Sequence, residues 1–179
     1  MGNGMIMGDC LQTNKLIVLR GNSGSGKTTI AKELQQMFGN NTMLISQDAI
    51  RRDMLKVKDG ENTKALPLLE ELLRYGRKYS EIVILEGILN AEWYCALFEL
   101  AVELYGENVY AYYFDIPFEE TVKRHKTKPN CKDFGEEDMR RWWNEKDYAS
   151  VLQEIRITAD QDKESIVCEI YHTVVSNGK

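Results

Sequence analysis

Apolar residues along this chain alternate between short continuous runs and stretches with helical spacing. The run KLIVL at residues 15–19 is typical of a strand that is buried on both faces of a sheet. Similar runs predict strands at residues 42–46, 82–85 and 109–114. The segment LQEIRIT at residues 152–158 is a candidate fifth strand.

Helical periodicity fills the intervals between these runs. Ile30, Leu34 and Phe38 share one helix face, for example, and Gly39 is a typical residue at which such a helix ends. The predicted helices span residues 27–38, 48–57, 62–79, 91–105, 117–124, 136–146 and 162–175. Strands that alternate with helices predict a five-stranded parallel sheet between two helical layers, a three-layer α/β sandwich.

The polar stretch RGNSGSGKTT follows the first predicted strand and precedes the first predicted helix. Gly21, Gly26, Lys27 and Thr28 match the phosphate-loop pattern G-x-x-x-x-G-K-[ST], and the strand–loop–helix context is the one that this pattern requires. Bare glycine backbone lets N–H groups surround phosphate oxygens, and the helix N-terminus adds its positive dipole. The residues expected to bind the nucleotide are Asn22, Ser23, Gly24, Ser25, Gly26, Lys27, Thr28 and Thr29.

Two side chains of this loop have distinct expected roles. Lys27 supplies a mobile cation for the β- and γ-phosphates, and Thr28 offers a hydroxyl to Mg²⁺. The alternative, a solvated Gly/Ser turn that precedes a lysine by chance, does not explain the flanking strand and helix. The cofactors expected from this motif are therefore a nucleoside triphosphate and Mg²⁺.

The second predicted strand is followed by Asp48, with Arg51 three residues later. An acid at the carboxyl end of a parallel strand lies on the ligand side of the sheet. Asp48 is a candidate catalytic base for an acceptor hydroxyl, and Arg51 could hold the acceptor or the transferred phosphate. The alternative is that Asp48 only caps the helix that follows.

The third predicted strand ends in Glu86, within IVILEG. An acid in this position beside a phosphate loop is expected to bind Mg²⁺ or to orient one of its waters, and so to contribute to the substrate site. Most such strands end in Asp, and a strand-end acid in an ordinary turn is the alternative. The predicted metal ligands are thus Thr28 and Glu86.

A basic segment follows the fourth predicted strand. We interpret residues 124–146 as a lid that closes over the nucleotide, neutralises charge on the transferred group and excludes water, with Arg124 as its catalytic and nucleotide-binding cation. A solvated basic face is the alternative. His125 has no obvious acidic partner in the sequence and is not expected to be catalytic. The cations of this region are Lys123, Arg124, Lys126, Lys128, Lys132, Arg140 and Arg141.

Length and charge limit the remaining possibilities. The 179 residues suit one domain, expected at residues 15–179 after a disordered leader at residues 1–14. A net charge of −5 argues against a nucleic-acid partner, and no apolar run is long enough to span a membrane. Four cysteines without a C-x-x-C pair are typical of a reducing compartment, so a cytoplasmic location is expected.

Together these motifs resemble the small P-loop kinases of the nucleoside-monophosphate-kinase-like group. LRGNSGSGKTT, LEGIL, FEETVKRH and FGEEDMRRWW are similar to segments of bacterial proteins described only as kinases. Relatives include chloramphenicol phosphotransferase, zeta toxins and polynucleotide 5′-hydroxyl kinases. The resemblance covers nearly all of the chain after the leader.

The resemblance implies a sheet with strand order 2-3-1-4-5 and a basic lid. It also implies that Asp48 acts as the base, and the spacing from Asp48 to Arg51 matches the D-x-x-R of polynucleotide kinases. The adenine is expected near residues 158–161. The acceptor pocket is expected between residues 48–57 and 62–79, although its shape is not readable from the sequence.

The leading hypothesis is ATP-dependent transfer of the γ-phosphoryl group to a hydroxyl of a small molecule. A polynucleotide 5′-hydroxyl kinase is an alternative, against which the net charge speaks. A nucleotide-dependent switch is a second alternative, but NEKD at Asn144 has Glu where guanine-specific GTPases need Lys, and EGIL replaces their D-x-x-G. The acceptor, the choice between ATP and GTP and the oligomeric state stay open.

Overall fold

The computed structural model describes residues 14–127 and 135–176 of the chain. Residues 1–13 of the expected leader and residues 128–134 of the expected lid lie outside the described residues, and so do Lys128 and Lys132. Asn14, the last residue of the expected leader, is buried and its side chain donates a hydrogen bond to the carbonyl of Arg77.

The five strands form one parallel sheet with the order β2-β3-β1-β4-β5, as the resemblance implied. The strands are β1 (Lys15–Gly21), β2 (Thr42–Ser46), β3 (Ile82–Gly87), β4 (Val109–Phe114) and β5 (Ile155–Ile157). The helices are α1 (Lys27–Phe38), α2 (Gln47–Ala49, continued by a π-helical turn at Ile50–Met54), α3 (Ala65–Tyr79), α4 (Cys95–Tyr105), α5 (Phe118–Lys126), α6 (Glu136–Arg141) and α7 (Lys163–Ser176).

Helices cover both faces of the sheet, so the expected three-layer α/β sandwich is confirmed. Successive residues of β1 point to opposite faces. Leu16 and Val18 pack into a core with α3 and α4, whereas Ile17 and Leu19 pack into a second core with α1 and α7. Because β1 is the middle strand, it is buried along its whole length. This placement puts the loop that follows β1 at the centre of one sheet edge.

Two of the predicted helices start or end at other residues than the apolar periodicity predicted. The helix expected at residues 48–57 runs from Gln47 to Met54, and Lys56 with a φ of 54° prevents its continuation. The helix expected from residue 62 begins at Ala65, because Asn62 has a φ of 59°. Backbone conformations of this kind leave no periodic signal.

Three further elements are shorter than expected. The helix expected from residue 91 starts at Cys95, after a turn at residues 91–94 in which the Asn90 side chain accepts the N–H groups of Glu92 and Trp93. The helix expected to reach residue 146 ends at Arg141. The fifth strand is only three residues long, after a 3₁₀ turn at Ser150–Leu152.

A third, smaller cluster joins the two helices of the basic segment. Phe118 and Val122 of α5 contact Met139 of α6, and the Trp143 ring meets Phe118 edge-on at 5.1 Å between centroids. The Arg140 guanidinium lies 4.1 Å above the same Phe118 ring. α5 and α6 therefore pack together as a unit, at the edge of the sheet where the phosphate loop lies.

Arg20 is the largest fully buried side chain, and it lies at the end of β1. Its guanidinium donates to the carbonyl of Leu89 at 2.7 and 2.9 Å, to the Asp147 carboxylate at 3.1 Å and to Glu154 at 2.7 Å. It also lies 4.8 Å from the centre of the Phe98 ring. This one side chain connects β1 to the loop after β3 and to the segment that follows α6.

We predict that Arg20→Met destabilises the fold by about 3–5 kcal/mol, because it leaves the buried carboxylate of Glu154 without its cation. Urea unfolding of the purified variant would measure the change. The matched control is Arg74→Met, since Arg74 is half exposed on α3 and its ion pair with Glu71 is at 4.0 Å. That variant should lose less than about 1 kcal/mol. Equal losses in the two variants would contradict the structural role of Arg20.

Candidate functional site

The loop between β1 and α1 approaches α5 so closely that it requires glycine. Gly24 has a φ of 82°, and a Cβ there would lie 2.6 Å from the carbonyl oxygen of Thr121. Gly26, with a φ of 106°, occupies the position before the first residue of α1. The N–H groups at the start of α1 and those of the loop therefore converge on one point, where an anion is favoured.

Lys27 is buried within this loop, with 6% of its surface exposed. Its ammonium donates to the carbonyl of Asn22 at 2.8 Å and to the Ser25 hydroxyl at 3.1 Å. The contacts hold the charge beside the backbone N–H groups. Lys27 and the loop thus form one cationic cradle of the size of a phosphate group.

Glu86 is buried at the end of β3 and has a hydroxyl on each side. The Thr28 hydroxyl donates to its Oε2 at 3.1 Å, and the Ser46 hydroxyl donates to its Oε1 at 2.5 Å. Parallel pairing of β2 with β3 brings Ser46 into register with Glu86. Nothing in the sequence indicated Ser46, because its contact with Glu86 depends on the register in which β2 pairs with β3.

The residues around Glu86 fit a magnesium ion that is shared with phosphates. Mg²⁺ takes oxygen ligands, usually one or two from the protein with the rest from phosphates and water. Thr28 and Glu86 supply such oxygens at the edge of the cradle. Among the described residues, no cluster of three or more His, Cys, Asp or Glu residues could hold a metal by itself.

Asp48 lies beside the cradle and forms ion pairs with two arginines. Its Oδ1 is 2.7 Å from Nη2 of Arg51 and 3.4 Å from Nε of Arg52. The N-cap of α2 is Ser46, so Asp48 is the second residue of the helix and does not occupy the cap position. Half of the Asp48 side chain is exposed, which leaves the carboxylate accessible.

Arg124 reaches from α5 to the opposite side of the loop. Its Nη1 donates to the carbonyl of Ser25 at 3.2 Å, and its Nε donates to Glu120 at 3.1 Å. A Cβ on Gly26 would lie 4.0 Å from Nη1. The guanidinium therefore lies against the loop backbone that is expected to surround the phosphates.

Two residues have surroundings that the sequence did not indicate. His125 is buried and lines the cradle cavity. Phe118, Thr121, Val122 and His125 are the buried residues of α5, so helical spacing could have identified its inward face. The side chain of Asn22 exchanges two hydrogen bonds with the backbone of residue 144, at 2.7 and 2.9 Å, so Asn22 can meet a nucleotide only through its backbone.

Three adjoining cavities follow the sheet edge. The middle one, of about 120 Å³, is the cradle itself. On one side it shares Gly24 and Gly26 with a groove of about 570 Å³, and on the other it shares Arg52 and Ile88 with a cavity of about 480 Å³. The middle cavity is lined by Ser23, Gly24, Gly26, Lys27, Thr28, Asp48, Arg52, Glu86, Gly87, Ile88 and His125.

The larger groove, here called the donor groove, runs from the phosphate loop to the loop after β5. Thr29 and Arg124 line it, as do Ala159, Asp160 and Gln161, the region expected near the adenine. The Gln161 side chain accepts the N–H of Thr158 at 2.9 Å and so shapes that loop. The groove is open enough for a nucleoside beyond the cradle.

The cavity on the Asp48 side, here called the acceptor cavity, is not bounded as expected. Arg51 and Arg52 line it, but no described lining residue comes from residues 62–79. The other walls come from the loops after α2 and β3 and from the segment at the end of α6. Its remaining lining residues are Lys58, Asp59, Ile88, Trp93, Arg141, Trp142 and Asn144.

A buried hydrogen-bond network fixes Asp59 at the wall of the acceptor cavity. The Tyr94 hydroxyl donates to Oδ1 of Asp59 at 2.6 Å, and Gln47 donates to Oδ2 at 2.8 Å. Burial raises the pKa of Tyr94 well above its ordinary value, and the Asp59 carboxylate raises it further. Tyr94 therefore stays protonated and keeps the carboxylate in place.

Solved structures with this fold include several kinases. Shikimate kinase from Acinetobacter baumannii, determined with shikimate, is 17% identical over 93% of this chain and 96% of its own, with a TM-score of 0.58. The APS kinase CysC of Mycobacterium tuberculosis, determined with AMPPNP and APS, is 16% identical over 92% and 98%, with a TM-score of 0.63. A gluconokinase from Sinorhizobium meliloti 1021 is 14% identical over 93% and 99%, with a TM-score of 0.59.

At these identities the neighbours share a fold, and they are small-molecule P-loop kinases. No curated protein matches the chain in sequence. None of the helices that the structure describes has the length and apolarity of a membrane span.

A family model described as an AAA domain matches residues 16–148, which is most of the chain. The protein therefore belongs to the AAA domain family, and its fold is that of the small P-loop kinases.

Proposed function

We propose that this protein is an ATP- and Mg²⁺-dependent kinase of the cytoplasm that transfers the γ-phosphoryl group to a hydroxyl of a small molecule. The observation that carries this proposal is the continuity of the three cavities. The donor groove, the cradle and the acceptor cavity share lining residues in that order. Asp48 lines the cradle on the side of the acceptor cavity, where an attacking hydroxyl would arrive.

In this proposal, the acceptor oxygen attacks the γ-phosphorus while Asp48 takes its proton. The new O–P bond forms as the bond from the γ-phosphorus to the β–γ bridging oxygen breaks, and ADP leaves through the donor groove. Lys27 and Arg124 lie on either side of the loop backbone and stabilise the charge that develops. Mg²⁺, held through Thr28 and Glu86, would neutralise the β- and γ-oxygens.

Arg51 and Arg52 have two tasks in this arrangement. Their ion pairs orient Asp48 before the acceptor binds. Their charge also attracts the transferred group toward the acceptor side. Both arginines reach the same carboxylate because they lie three and four residues after Asp48 on one helical segment.

The structural neighbours support phosphoryl transfer as the reaction and ATP as the donor. APS kinase is a relative in fold whose structure was determined with the ATP analogue AMPPNP. Gluconokinase and shikimate kinase use the same architecture. At such low identity, none of the three neighbours indicates which acceptor this protein uses.

Incubation of the protein with ATP, Mg²⁺ and a pool of metabolites and antibiotics tests the proposal. We expect mass spectrometry to detect one or more compounds that have gained a phosphate, and ADP to form in equal amount. A 5′-hydroxyl oligonucleotide is included as a separate arm. ATP binding without a phosphorylated product in any arm would favour a nucleotide-dependent switch instead.

We predict that Asp48→Asn lowers kcat for the detected acceptor by about 10²- to 10⁴-fold, because the amide cannot accept the hydroxyl proton. ATP affinity, measured by calorimetry, should hardly change. Asp53→Asn is the control, since Asp53 is exposed on the same helical segment and lines none of the three cavities. An unchanged kcat in Asp48→Asn would exclude Asp48 as the base.

We predict that Arg124→Gln lowers kcat by about 10²-fold, because a cation beside the phosphates is lost. The neighbouring Lys123 is 76% exposed and provides the matched control, Lys123→Gln. Steady-state kinetics with saturating acceptor would compare them. The proposed role of Arg124 fails if both variants turn over at the same rate.

A further inference from the structure

The acceptor cavity has an excess of positive charge. Three chain segments contribute its cations: the helical turn after β2, the loop that follows it, and the end of α6. Asp59 is the one carboxylate among the described lining residues, and it is already bound by Tyr94 and Gln47. Asp48, which pairs with Arg51 and Arg52, and Asp138, which pairs with Arg141, lie outside the lining. The charged residues of the cavity are Arg51, Arg52, Lys58, Arg141 and Asp59.

Arg51 provides the most specific indication of what the cavity binds. Its side chain is only 14% exposed, and one of its terminal nitrogens donates to Asp48. Its Nε is buried and has no hydrogen-bond partner within the described part of the chain. A buried charged donor without an acceptor is costly. Because Arg51 lines the cavity, an oxyanion bound there would compensate the charge of this guanidinium.

The other walls of the cavity indicate the size and shape of the ligand. Trp93 and Trp142 present rings that are 38% and 37% exposed, and Ile88 adds an aliphatic surface. Apolar walls with a few fixed polar groups are typical of small-molecule sites, and about 480 Å³ lies in the lower half of their usual volumes. The fixed Asp59 carboxylate can accept hydrogen bonds from ligand hydroxyls.

We propose that the acceptor is a small hydroxylated ring compound that carries an anionic group, either a carboxylate or a phosphate ester. Arg51, Lys58 and Arg141 bind the anion, while the reacting hydroxyl faces Asp48. This inference rests on the proposed function, since the cavity receives the acceptor only if the protein is a kinase. It adds that the cavity recognises the acceptor through the negative charge of its anionic group.

A small acceptor fits these observations better than a polynucleotide does. The cations are gathered around a bounded cavity, and the chain as a whole carries a net charge of −5. A nucleic-acid site would require a basic surface that follows a phosphate backbone. Lys58 and Arg141 instead come from two different segments of the chain and line the same bounded cavity.

The test measures binding separately from transfer. Two of the three tryptophans of the chain, Trp93 and Trp142, line the acceptor cavity, so tryptophan fluorescence reports on its occupancy. With the nucleotide site saturated by Mg²⁺ and AMPPNP, glucose 6-phosphate, glucuronate and glucose are titrated. We expect a saturable signal from one or both anionic sugars and none from glucose, and the two anionic arms distinguish phosphate from carboxylate.

The double variant Lys58→Gln/Arg141→Gln should weaken binding of the anionic probe by about tenfold or more, without loss of thermal stability, because both side chains are exposed. The single variant Arg141→Lys, which keeps the charge and leaves Lys58 unchanged, should retain most of the affinity for the anionic probe. The control is Arg74→Gln/Lys78→Gln, which removes the same charge from the exposed face of α3.

The outcomes separate this inference from the proposed function. Glucose that binds as tightly as the anionic sugars, a lack of response to both anions, or a double variant with unchanged affinity overturns the inference. Phosphoryl transfer to a neutral alcohol would also overturn the inference, but the proposed kinase function would stand. Anion binding that needs Lys58 and Arg141, without transfer to any compound of the pool, overturns the kinase instead. Phosphorylation of the oligonucleotide overturns the small acceptor.

Discussion

The buried guanidinium of Arg20 is the constraint on which the geometry of the site depends. It lies one residue before the phosphate loop and bonds to the loop after β3 and to the acids Asp147 and Glu154. A buried charge requires all of its partners in place, since an unpaired ion in the interior costs several kcal/mol. The three segments are thereby fixed relative to one another. The Asn22 side chain continues this connection, because it bonds to residue 144 from within the loop itself.

The sheet topology explains why the chemistry gathers at one edge. With the order β2-β3-β1-β4-β5, the connection from β1 runs toward the β2 edge, whereas the connection from its neighbour β3 runs to β4 on the other side. Ligands bind at such a switch point, beyond the carboxyl ends of the strands. Lys27 follows β1, Asp48 follows β2 and Glu86 ends β3. The donor groove lies toward β4 and β5, whereas the acceptor cavity lies toward β2 and β3. The order of the strands thus separates the two proposed substrates.

The sequence was sufficient for those parts of the site that depend on local order. The phosphate loop is a contiguous motif, and Glu86 ends an apolar run that any parallel sheet would bring to the same edge. Asp48 was identified for the same reason. Each of these residues lies at the carboxyl end of a predicted strand, so that a correct fold class was enough to group them.

Residues that depend on long-range contacts were not predictable in this way. Ser46 contacts Glu86 only because β2 pairs with β3 in one register. Trp93 and Lys58 reach the acceptor cavity through turns of irregular backbone, which have no periodicity. Arg20 belongs to the polar stretch that follows the first predicted strand, yet its partners are 69 to 134 residues away. Side-chain networks of this kind are properties of the folded chain.

The basic segment has a more specific arrangement than a lid over the nucleotide. α5 contributes Arg124 to the donor side, while the end of α6 contributes Arg141 and Trp142 to the acceptor cavity. The Phe118–Trp143 contact packs the two helices together. Any closing movement of this unit would therefore change both sides at once. A kinase benefits from such coupling, because water must be excluded when donor and acceptor are both bound and the donor must not be hydrolysed when only one is present.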